Sequence, residues 1–64
     1  MMNKQQLINT IEDIRNDERN WNTLKIREVQ EGIITEEQYM EMREISEQRT
    51  IAKIARIEDE IAAL

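Results

Sequence analysis

The chain has 64 residues and carries 9 Lys and Arg against 14 Asp and Glu, a formal net charge of −5. It has no Cys, no His and Ser46 as its sole serine, which excludes a disulfide framework, a Cys/His zinc site and, Ser/Lys variants apart, any catalytic triad. No apolar run approaches the roughly 20 residues of a membrane span and no apolar stretch precedes a small-residue cleavage site, so residues 1–64 are expected to form one small cytoplasmic domain with a thin core.

From Asn3 to Glu31 there is neither Gly nor Pro, and the spacing predicts a first helix over about 3–31. Leu7, Ile8, Ile11 and Ile14 share one face, and Ile26, Val29 and Ile33 return to it. Between them, Asn16–Asn22 is polar and rich in Asn, a stretch where the helix could break. Gly32, the sole glycine, stands where a left-handed C-cap is wanted, because it has no Cβ to clash at positive φ. Thr35 with Gln38 then reads as an N-cap and its reciprocal partner, Ile34 and Tyr39 as a hydrophobic staple, and Glu36 and Glu37 as a first turn suited to the helix dipole. A turn at 32–35 and a second helix over about 36–63 follow. A single rod running on through Gly32 is the competing picture.

Two arms of near-equal length, each roughly 42 Å by the helical rise, favour an antiparallel two-helix hairpin in the all-α class. Ile54, Ile57, Ile61 and Leu64 follow the spacing of a coiled-coil seam, and folding about the turn pairs Leu7 with Ile61, Ile11 with Ile57, Ile14 with Ile54 and Val29 with Tyr39. In the middle, Glu18, Asn22 and Lys25 are expected opposite Arg43, Glu47 and Thr50. That set reads either as a buried polar layer that fixes register or binds a ligand, or more plainly as a solvated waist held by Lys25–Glu47 and Glu18–Arg49 pairs.

The second arm is apolar on more than one side, which calls for a further neighbour and predicts a dimeric four-helix bundle or a higher helical oligomer. Ile51, Ile54, Ala55, Ile57, Ile61 and Leu64 are the candidate oligomer interface. Trp21, Asn22, Lys25, Arg49, Lys53 and Arg56 are the candidate partner or ligand contacts: an edge Trp that serves as anchor or as core cap, the polar waist, and a basic stripe on one side of the second arm. Met40 and Met42 read as core filling near the turn or as an adaptable contact surface. Glu37, Glu41, Glu44 and Glu47 include the Glu-x-x-Glu spacing that helical nucleotide hydrolases use for magnesium, but the facing arm offers no matching set. A solvated face accounts for them, and no catalytic, metal or cofactor residue is assigned.

The stretch Leu24–Ile45, LKIREVQEGIITEEQYMEMREI, resembles the short C-terminal (SHOCT) domain found at the ends of many bacterial proteins. Gly32, Ile34, Thr35, Glu37 and Tyr39 match that family's turn, which is similar also to the turn of small phage tail-region proteins of the XkdX family. Met42 and Arg43 stand in place of the family's usual Lys pair, and the second helix runs on longer. The resemblance implies oligomerisation or partner docking rather than catalysis.

The expected role is a small non-enzymatic interaction module whose partners are itself and an unidentified protein, in keeping with a bacterial or phage accessory protein. An acidic inhibitor that fills a basic groove as nucleic-acid mimics do, and an oligomeric binder of a small anionic ligand at the waist, are the alternatives. Direct binding to nucleic acid or to an anionic membrane is disfavoured by the net charge.

Overall fold

The computed structural model describes residues 2–64. Two α-helices account for most of them: α1, Lys4–Gln30, and α2, Glu36–Ala62, each of 27 residues. No strand occurs among the described residues. An uninterrupted helix over the whole chain would be roughly 90 Å long, whereas the longest extent is 47 Å. The chain therefore folds back on itself, and the single-rod alternative is set aside.

The reversal is built from local hydrogen bonds. α1 ends with the Ile33 amide donating to the Glu28 carbonyl at 2.9 Å and the Gly32 amide donating to the Val29 carbonyl at 3.1 Å. This double closure needs a left-handed residue in its middle, and Gly32 supplies it with φ +75°. Restarting the helix falls to Thr35, whose Oγ1 accepts from the Gln38 amide at 3.1 Å while Gln38 Oε1 accepts from the Thr35 amide at 2.9 Å. The same reciprocal box opens α1, between Asn3 and Gln6. Both helix starts thus satisfy donors that would otherwise lack an intrahelical partner. Ile34 and Tyr39, on either side of the second box, are half-buried.

α1 does not break at Asn16–Asn22. Asn costs only a few tenths of a kcal/mol against better helix formers, and no Gly or Pro adds to that here. On α1 the half-buried or buried positions include Leu7, Ile11, Ile14, Glu18, Trp21, Lys25 and Glu28, alternating steps of four and three, the period of a straight heptad seam. On α2 they are Tyr39, Met42, Ser46, Thr50, Ile54, Ile57 and Ile61, with three consecutive steps of four in the middle. Expecting Arg43 and Glu47 on the inner face is therefore wrong: a strict 3-4 alternation carried back from Ile54 selects them, but the extra residue moves the seam to Met42 and Ser46. A straight helix at 3.6 residues per turn drifts by about 20° per heptad from a 3.5 repeat, and α2 follows its own winding.

Packing is thin. Leu7, at 3% exposure, is the one buried side chain among the described residues. Two cylinders touching along a line can each shelter only one stripe, so the other seam residues stay half-exposed. The chain presents 5268 Å² to solvent, where a compact protein of 7.7 kDa presents about 4,300 Å². Its radius of gyration, 14.8 Å, likewise exceeds the about 11 Å of a compact chain this long.

Candidate interaction surface

The waist of the hairpin is polar, and its bonds differ from those that charge pairing alone suggests. Glu18 Oε2 accepts from Ser46 Oγ at 2.7 Å and from Thr50 Oγ1 at 3.0 Å. Ser46 and Thr50 stand one turn apart on the inner face of α2, so both hydroxyls reach one carboxylate oxygen. The other oxygen, Glu18 Oε1, is sealed from solvent and has no hydrogen-bond partner. Further toward the turn, the Tyr39 hydroxyl donates a long bond, 3.4 Å, to Asn22 Oδ1.

Neither expected cross-helix ion pair forms. Lys25 Nζ lies 2.9 Å from Glu28 Oε1 on its own helix and 6.0 Å from the Trp21 ring centroid, a lysine lodged between residues one turn either side of it. Glu47 accepts from Arg43 Nε at 2.9 Å, also within one helix. That bond and the charge of Glu47 raise the Arg43 guanidinium pKa above its ordinary value, leaving it charged at any practical pH. Glu18 is occupied by the two hydroxyls rather than by Arg49, which stands at the edge of the groove. Neighbours at i,i+3 and i,i+4 meet without any cost of cross-helix alignment, which is why both charged pairs stay intrahelical.

On one side of the waist a groove runs between the helices. Ile14, Asp17 and Trp21 form its α1 wall, with Glu18 and Thr50 at its floor and Arg49 and Lys53 along α2. It continues toward the turn past Trp21, Met42 and Ile45. On the opposite side, Ile26, Val29, Tyr39 and Met40 line a shorter apolar groove beside the turn.

The candidate contacts divide accordingly. Trp21, Arg49 and Lys53 come together in the first groove, while Asn22 engages Tyr39. Lys25 is bound to Glu28 and half-buried, and Arg56 is exposed on α2. Of the residues expected at an oligomer interface, Ile54, Ile57 and Ile61 are half-buried on the side of α2 that carries Thr50 across to α1. Ile51, Ala55 and Leu64 are exposed. Sequence reasoning missed Leu24 and Ile45, 52% and 55% exposed, of which Ile45 lines the groove. Leu24 follows Trp21 by three and Ile45 precedes Arg49 by four, spacings that set them on one face with those residues.

No group of three or more acidic side chains converges as a metal-binding set among the described residues, and no helix is long and apolar enough to cross a membrane. What the geometry offers is a surface: a two-helix hairpin with an apolar and charged groove along one side. No family model, no curated protein and no solved structure matches the chain.

Proposed function

We propose that this chain is a small non-enzymatic protein–protein interaction module, a helical hairpin that self-associates into a dimeric four-helix bundle or a higher helical oligomer. One observation carries the reading. Among the described residues a single side chain is buried, while eight large apolar ones, among them Leu24, Met40, Ile45 and Ile51, stand exposed. Burial of apolar surface is the main favourable term in folding, and a pair of helices this thinly packed offsets little of the conformational entropy of ordering its chain. Association supplies the missing burial and uses the same side chains. The resemblance of the turn region to the short C-terminal domain supports docking rather than catalysis, and a bacterial or phage accessory protein working in the cytoplasm is part of the same proposal.

The test is the mass in solution. Light scattering coupled to size exclusion, repeated over a dilution series, is expected to return a multiple of 7.7 kDa that falls toward one chain on dilution. Trp21, the sole tryptophan, reports the same transition through a red shift in its emission. A well-folded monomer at all concentrations would falsify the reading.

A further inference from the structure

We propose that the groove between Trp21 on α1 and Arg49 on α2 receives a second copy of this chain, in a two-fold pair that lays α1 of each copy on α2 of the other. This rests on the self-association reading and names its surface and arrangement.

The first support is charge. Along the groove α1 carries Asp17, with Asp13 one turn before it, and α2 carries Arg49 and Lys53, with Arg56 one turn beyond. The two walls thus bear opposite signs. None of these five side chains takes part in an ion pair within the chain: the pairs among the described residues are Lys25–Glu28 and Arg43–Glu47. A two-fold axis parallel to the helices exchanges the walls while keeping every residue at its height. Each acidic wall then meets the basic wall of the other copy, twice per dimer. A turn or two nearer the loop, the same operation sets Trp21 and Leu24 on Met42 and Ile45 of the other copy, also twice. Large apolar side chains lie side by side with complementary charges, the composition of a specific interface.

The floor of the groove agrees with a cationic visitor. Glu18 Oε1 is sealed without a partner, and the crossed pairing brings Arg49 of the second copy to that height, adding positive charge beside an under-compensated carboxylate. Area agrees as well. The solvent-exposed surface exceeds that of a compact chain of this mass by roughly 900 Å², close to the about 800 Å² each partner contributes to an ordinary specific interface. The opposite side is a poorer fit: beyond Met40 it runs into Arg43 and Glu47, whose charges already satisfy each other.

Charge reversal with mixing tests the arrangement. Asp17→Lys in one variant sets the new lysine of each copy against the basic wall of the other, and Arg49→Asp with Lys53→Asp in another sets anions against Asp17. Each variant alone is expected to dimerise at least tenfold more weakly than the parent chain by sedimentation equilibrium. An equimolar mixture is expected to recover dimer mass, because both crossed contacts become attractive, and the recovery is expected to fade with added salt. If the parent chain is itself a monomer, the self-association reading falls and this one with it. If the parent chain is a dimer and the reversals change nothing, or weaken it without rescue on mixing, association stands and the crossed groove pairing falls. Should a reversed chain lose its helical circular dichroism, single-cysteine variants L24C and M42C take over, since the chain has no native cysteine. On oxidation of their mixture the 24-to-42 cross-link is expected to exceed either self-link, and an excess of self-links overturns the pairing.

Discussion

Glu18 is the position where the structure makes its sharpest energetic statement. Its carboxylate lies between the helices, takes two hydroxyl hydrogen bonds on Oε2 and leaves Oε1 sealed and unpaired. Two hydrogen bonds to a charged acceptor contribute about 3–6 kcal/mol together, against which stand about 1–3 kcal/mol for the unsatisfied oxygen and the further cost of taking the carboxylate out of water. These nearly cancel, so Glu18→Leu is expected to shift stability by less than about 1 kcal/mol, with Ser46 and Thr50 free to turn their hydroxyls back to carbonyls one turn earlier. Removing the donors and keeping the charge is different. Ser46→Ala with Thr50→Val leaves a half-buried carboxylate with no protein donor and is expected to cost about 1–3 kcal/mol, since some water can still reach it. Combining all three substitutions replaces the polar contact by an apolar one and is expected to exceed the parent chain, by up to about 2 kcal/mol. Urea titration followed by far-ultraviolet circular dichroism, at one fixed protein concentration so that association does not distort the comparison, orders the four chains. If Glu18→Leu proves more damaging than loss of both hydroxyls, the account of a costly carboxylate held by two donors is wrong.

Other positions give simpler expectations by the same titration. Gly32→Ala meets no atom within 4 Å of the added Cβ, so its cost is backbone strain at φ +75°, about 1–2 kcal/mol; Gly32→Asn is expected to cost less. Thr35→Ala removes an N-cap and is expected to cost about 1 kcal/mol, and equal stability would mean that the reciprocal box with Gln38 contributes nothing. Leu7→Ala empties the one site with a buried side chain among the described residues and is expected to cost about 2–3 kcal/mol, more than alanine at half-buried Ile14. Arg43→Ala breaks a pair whose side chains are 53% and 47% exposed, and the unfolding midpoint is expected not to move.

Much of this molecule is decided within five residues of any point. Where the helices start, where the first one stops and which residue takes positive φ follow from Asn3, Gln6, Gly32, Thr35 and Gln38, because caps and the closing turn are satisfied by neighbours in the chain. The apolar positions at the open end of the hairpin were legible for the same reason: Leu7, Ile11 and Ile14 on α1, and Ile54, Ile57 and Ile61 on α2, repeat at short, unambiguous spacing. The waist was not. Charge alone suggested Lys25 with Glu47 and Glu18 with Arg49, yet intrahelical neighbours took Lys25 and Glu47, and two hydroxyls took Glu18. Which side of α2 turns inward between Tyr39 and Thr50 depends on how a straight helix drifts against its neighbour over several turns. Polar residues, which have no strong preference for either side, cannot hold that phase locally. Only the packed pair of helices selects Met42 and Ser46 over Arg43 and Glu47, and with that choice leaves Trp21, Ile45, Arg49 and Lys53 along one open groove.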